Sequence, residues 1–199
     1  MPGDAWYVES RDFGKTWGPK IIVGPRLFNE TNIIEALDGT LFSIMRQDGQ
    51  LGTRRAFGTS FSHDAGKTWK PWRWAGVQGK MPDAVVLPTG RILLAVGAEG
   101  LTDGSFVISR KDRASFCSLF ISDNGGESWS RDLLFSPVQG ERTVVPGDSP
   151  VMCHLADGEI LVVMQGIDRA KGGHPLLGYS VGMSLIGNLI KPVAKNVHK

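Results

Sequence analysis

Ser10-Arg-Asp-Phe-Gly-Lys-Thr-Trp17 returns as Ser62-His-Asp-Ala-Gly-Lys-Thr-Trp69 and, in looser form, as Ser122-Asp-Asn-Gly-Gly-Glu-Ser-Trp129. Each part of this repeat has a mechanical task. Asp12, Asp64 and Asn124 are short acceptors that cap backbone N–H groups of their own turn. Gly14, Gly66 and Gly126 supply the backbone freedom that a tight strand connection needs. Trp17, Trp69 and Trp129 bring large apolar area to wedge into sheet packing. These residues specify a turn between two strands and carry no catalytic weight.

A second repeat interleaves with the first. Apolar strand, tight turn, apolar strand occupies residues 33–46 around Asp38-Gly39, 84–96 around Thr89-Gly90, and 151–164 around Asp157-Gly158. Every such hairpin except the last leads into a third strand that ends in one of the octets above. The unit is therefore four strands, A to D, recurring about every 50 to 60 residues, which is the pattern of a β-propeller blade. The octet resembles the Asp box of BNR-repeat proteins, with boxes at 10–17, 62–69 and 122–129.

Counting strands gives C and D of one blade (5–24), two whole blades (32–77 and 82–136), and A, B and C of another. That is roughly thirteen strands, or three to three and a half blades, too few to close a ring of six. An open ring would leave unpaired backbone and apolar faces at its ends. The expectation is an all-β, partial six-bladed β-propeller over residues 1–183, either a piece of a longer protein or one part of an assembly, with edge-to-edge self-association as one way to complete it. Residues 184–199 form a separate tail: Leu185, Ile186, Leu189, Ile190, Val193 and Val197 fall at helical spacing beside Lys191, Lys195 and Lys199, and Pro192 opposes a helix. A basic amphipathic cover and a disordered end are both open readings.

Composition limits the function classes. The net charge is +2 with charges scattered rather than in runs, which excludes nucleic acid as the main partner. No apolar stretch is long enough to span a bilayer as a helix. The opening residues lack the basic start and apolar core of a signal peptide, so the compartment stays open. Cys117 and Cys153 are read as two buried thiols rather than a disulfide. His63, His154, His174 and His198 form no metal-ligand spacing, and no phosphate-loop order is present. No metal or cofactor is expected.

Because strand direction alternates, A–B turns and boxes lie on one face, and D–A and B–C loops on the other. The loop face carries residues 28–32, 46–49, 97–113, 139–149 and 166–174, dense in charge. Aligned on the A–B turn, Glu30 matches Met81 and Ser149, while Arg46 matches Gly97 and Gln165. The fold does not need Glu or Arg there, and a lone charge at the end of an apolar strand is costly. A structural Glu30–Arg46 ion pair is the plain reading; a binding site is the other.

The stretch from Asn29-Glu30-Thr31 through Asp38-Gly39 to Ile44-Met45-Arg46, then Arg54-Arg55 and a box, resembles the sialidase (neuraminidase) segment that holds two functional groups. The resemblance implies that Glu30 polarises the nucleophilic tyrosine and that Arg46 belongs to an arginine triad gripping the substrate carboxylate. A guanidinium suits that task because its fork meets both oxygens. Arg113, with Arg110 as the alternative, stands where the resemblance puts the next triad arginine. Asp48 and Arg169 border the same loops. The family's tyrosine would fall near Pro146-Gly-Asp-Ser-Pro150, and Asp148 and Ser149 stand there instead. Sialidases use tyrosine where other glycosidases use a carboxylate. The family's first arginine and its acid/base aspartate belong to preceding blades, so this chain alone is expected to be inactive. The implied partner is an acidic sugar or glycoconjugate; family members are often secreted or periplasmic. A non-catalytic carbohydrate- or protein-binding propeller is the alternative.

Overall fold

The structure, a computed structural model, describes residues 4–47, 56–98, 116–135, 144–146, 149–168, 172–173, 176–181 and 193–194. Strands β1 (Ala5–Tyr7) and β2 (Ile21–Gly24) form a two-stranded sheet. Strands β3 (Phe28–Glu35), β4 (Leu41–Gln47), β5 (Ala56–Ser62) and β6 (Arg73–Gln78) follow in an antiparallel sheet of that order. Strands β7 (Lys80–Val86), β8 (Ile92–Ala98), β9 (Phe116–Ser122) and β10 (Ser130–Phe135) repeat it. In the last sheet β11 (Val144–Pro146) and β12 (Val151–His154) both pair with β13 (Ile160–Asp168), which pairs with β14 (Leu176–Val181). The meander order and the absence of a helix among the described residues make this a partial β-propeller.

The A–B hairpins are chemically the same turn three times. Ala36 N–H donates to Thr40 O at 2.8 Å and Gly39 N–H to Ala36 O at 3.0 Å. Leu87, Arg91 and Gly90 repeat the pattern, as do Leu155, Glu159 and Gly158. Gly39, Gly90 and Gly158 sit at φ of 82°, 84° and 83°, the left-handed region that glycine enters without penalty. The Asp boxes close as their sequence requires. Asp64 Oδ1 accepts from Thr68 N–H at 2.9 Å, and Ser62 Oγ accepts from Gly66 N–H at 2.9 Å. Asp12 and Asn124 hold Thr16 N–H and Ser128 N–H in the same way.

Blades stack through alternate residues of each strand. On β8, Ile92, Leu94 and Val96 join the core shared with β4 and β6, while Leu93 and Ala95 join the core shared with β13. Both faces are covered, so the strand reads as a continuous apolar run rather than an alternating one. The inner strands β3, β7 and β12 lie side by side, and each is interrupted at the same place. The β3–β4 register shifts between Phe28 and Thr31, and the β7–β8 register between Lys80 and Asp83. In the last blade the interruption separates β11 from β12.

Three details differ from the sequence reading. Val193 and Ala194, placed in the tail, form a short strand β15 in register with Ser180 and Tyr179 of β14, at the position of a D strand. With the split inner strand, this raises the number of described strands to fifteen. Both cysteines are free, but only Cys117 is buried; Cys153 is exposed because no described element covers the outer face of β12.

Candidate functional site

The bulge at the head of β3 is locally built. Asn29 Oδ1 accepts from Glu30 N–H at 2.8 Å, and Thr31 Oγ1 donates to Asn29 O at 2.6 Å. These bonds replace ladder contacts that the register shift removes, and a bulge of this kind re-aims a side chain. Arg46, near the end of β4, donates from Nη1 to Glu30 Oε1. Glu30 Oε2 accepts from the backbone N–H of Met81, the first residue of the β7 bulge, at 2.7 Å. The Arg46 side chain keeps 13% of its exposure and Glu30 31%. Arg46 Nε is buried with no partner among the described residues.

Met81 and Ser149 have φ of 45° and 58°, and Ser149 Oγ lies 2.6 Å from Met81 Sδ. Positions 30, 81 and 149, aligned by the repeat, are thus neighbours in space. Arg46, Glu30, Met81 and Ser149 form one continuous contact row across three blades.

A second row lies two residues deeper. Asn32 Nδ2 donates to Asp83 Oδ1 at 2.9 Å, and Asp83 Oδ2 accepts from Met152 N–H at 2.5 Å. Burial pushes the Asp83 carboxyl above its ordinary range, and the N–H groups of Met152 and Ala84 pull the other way. The sequence reading missed both Asp83 and the Met81 N–H. Asp83 carried a signal: it is a charged residue at the start of an apolar strand, at the repeat position of Asn32. A backbone donor carries none.

Of the candidate residues, the structure brings Glu30 and Arg46 together. Asp48, Arg110, Arg113, Asp148 and Arg169 lie outside the described residues. Among the described residues, no three His, Cys, Asp or Glu side chains gather closely enough to hold a metal ion. What the visible arrangement offers is a half-buried cation held rigidly by one carboxylate.

The BNR/Asp-box repeat profile matches residues 60–71 and 120–131, the second and third boxes with their flanks. No curated protein sequence matches the chain. Among solved structures, the chain is similar to a Dyadobacter fermentans protein of unknown function, with TM-score 0.61 and 23% identity over 87% of this chain and 44% of that one. It is also similar to the NanB sialidase of Streptococcus pneumoniae, with TM-score 0.63 and 16% identity over 94% of this chain and 28% of that one. A Penicillium chrysogenum alpha-L-arabinanase gives TM-score 0.56 and 15% identity over 86% and 50%. The chain spans half or less of the length of each. At these identities the likeness establishes the fold: BNR/Asp-box blades in a propeller of the kind that glycosidases use.

Proposed function

We propose that the loop face of this propeller binds an acidic sugar through Arg46, with Glu30 beside the reacting centre, in the manner of a sialidase-like exo-glycosidase. The observation that carries the reading is the Glu30–Arg46 pair at the inner ends of β3 and β4. In the next blade the same places hold Met81 and Gly97, and that blade folds without a charge there. Desolvating two charges is rarely favourable for stability alone, so a pair that the architecture does not require points to a ligand. Arg113, or Arg110, would add a second cationic contact. Asp48 and Arg169 would border the pocket, and Asp148 would stand where sialidases carry their tyrosine.

Glu30 already accepts from both Arg46 and the Met81 N–H, which holds its carboxylate in one orientation. A group so fixed is preorganised to polarise a neighbouring hydroxyl, because no reorganisation is needed when charge develops. A second reading, a propeller that binds acidic carbohydrate without turning it over, is favoured by one observation: the segment from Pro146 to Pro150 contains no tyrosine.

Calorimetric titration with sialic acid and its dehydrated analogue tests the binding step common to both readings. Arg46→Ala is expected to weaken binding by about 10- to 100-fold, the worth of one charged hydrogen-bonding contact. Glu30→Gln is expected to retain binding, because the cation remains and a competing negative charge is removed. If the pair serves only the fold, both variants will lower the unfolding midpoint and neither will change a measurable affinity.

A further inference from the structure

The face that carries the A–B turns and the Asp boxes holds a cleft of about 400 Å³ between blades β3–β6 and β7–β10. Both walls belong to whole four-stranded blades. The floor is apolar: Phe42 and Ile92 are buried, and Phe61 packs on Phe42 at 5.4 Å between ring centroids. The rim is polar and exposed, with Asp38, His63, Lys70 and Arg73 from one blade and Glu127 from the next. Arg73 spans the junction. Its guanidinium lies over the Phe61 ring, 5.1 Å from the centroid, and donates to Glu127 at 3.2 Å. Contacts on two sides hold the fork in place, and it keeps further N–H groups to give. Thr40 supports the same rim: its N–H donates to Asp38 Oδ1 at 2.9 Å, and its hydroxyl hydrogen-bonds His63 Nδ1 at 3.1 Å. The repeat shows that the fold does not require this set. At the same positions of the next blade, Thr40 and His63 become Arg91 and Asp123, which pair with each other. Lys70 and Arg73 become Ser130 and Leu133.

We propose that this cleft binds a neutral, hydroxyl-rich ligand, a sugar of one or two rings. Charge selects the class. Lys70 and Arg73 stand against Asp38 and Glu127, so the rim has no single-sign field to draw in an anion or a cation. A carboxylate or phosphate would gain the two cations but meet the two acids, and like charges brought together at an interface are costly. A hydroxyl both donates and accepts, so neighbouring hydroxyls on one ring satisfy a carboxylate and a cation at once. The C–H face of the same ring suits the apolar floor, which a bare ion would leave uncovered. An apolar base with a few convergent polar groups is the usual build of a small-ligand site, and the volume lies within the range of roughly 300–1,000 Å³ that such sites occupy. The cleft is on the face opposite Glu30 and Arg46, so the proposal does not rest on the acidic-sugar reading, and either can fail alone.

Backbone amide shifts of the full chain, followed by NMR during titration with lactose, cellobiose and maltose, read the site directly. Shifts centred on His63, Gly125 and Glu127 are expected with at least one of the three sugars. The expected dissociation constant is about 1 mM, as for a small ligand on an open cleft. Lys70→Ser with Arg73→Leu gives this rim the residues of the next blade, so the variant is expected to fold. It should weaken binding by at least about 10-fold, the worth of one or two charged hydrogen bonds. Glucuronic acid and inorganic phosphate are the charged comparators, and neither should move these amides at the concentration that saturates the neutral sugar. The proposal is overturned if none of the three sugars shifts the cleft amides at about 20 mM. It is overturned equally if the folded double variant binds as the parent does. Tighter binding of phosphate or glucuronic acid at the same amides would make the cleft an anion site and overturn it as well.

Discussion

The Asp boxes at 10–17 and 122–129 are the same turn in two surroundings. Inside the turn they agree: Gly14 N–H donates to Ser10 Oγ at 2.7 Å and Gly126 N–H to Ser122 Oγ at 2.8 Å. Outside it they part. A Cβ added to Gly126 would lie 2.4 Å from the Phe42 ring of the preceding blade, and Trp129 packs on that same ring at 6.0 Å between centroids. Around Gly14 the nearest atom is 3.9 Å away and belongs to Trp17, which is 63% exposed. The box at 62–69 sides with the third, its glycine and tryptophan packed against Tyr7. The serine and aspartate thus make the turn, whereas the glycine and tryptophan answer to the blade before it. One eight-residue motif serves two energetic purposes that can be separated.

Substitution can separate them. Gly126→Ala should cost at least about 3 kcal/mol, since it combines a ring clash with a left-handed backbone at φ 90°. Gly14→Ala should cost about 1 kcal/mol, the backbone term alone. Denaturant unfolding of both measures the gap, and equal losses would refute the division. Trp129→Ala should destabilise by about 2–3 kcal/mol and Trp17→Ala by under about 1 kcal/mol, read the same way.

Carrying the comparison to the inner strands, the double substitution Glu30→Met with Arg46→Gly gives β3–β4 the residues of β7–β8. Its stability should stay within about 1 kcal/mol of the parent while acidic-sugar binding disappears. A large loss of stability would instead make the pair structural.

The smallest effect is in pH dependence. Hydrogen bonds from Thr16 and Thr68 lower the carboxyls of Asp12 and Asp64 to about 2. The folded chain therefore binds those protons more weakly than the unfolded chain does. Their stabilisation is complete above the ordinary value of 3.8 and fades as pH falls toward 2. Asp83 acts in the opposite sense: its carboxyl is raised by burial, so its contribution is full below 3.8 and is lost as pH rises through the elevated value. Asn124 does not titrate. Urea midpoints between about pH 5 and pH 2 should fall less steeply for Asp12→Asn with Asp64→Asn.

What was legible in the sequence is what local chemistry determines. Asp38-Gly39 and its repeats located three hairpins, and the boxes located the C–D turns, because a turn needs particular residues at particular places. Glu30 and Arg46 were legible as neighbours because they flank one hairpin, sixteen residues apart in sequence. The bridge from Asn32 through Asp83 to Met152 joins strands 51 and 69 residues apart, and no periodicity within a strand reports such a contact. The strand at Val193 was hidden because two residues paired at a sheet edge leave no pattern that overrides the helical spacing around them.

The bulge that opens each inner strand has an evolutionary consequence. Glu30, Met81 and Ser149 stand at one repeat position, and each strand resumes its normal ladder within two residues of it. The bulge absorbs the local geometry, so the side chain it carries is decoupled from the pairing that builds the blade. Acid, thioether and hydroxyl have each been accepted there on one scaffold. A blade built this way can change the chemistry it shows at the centre by a single substitution while the pairing that builds it stays intact.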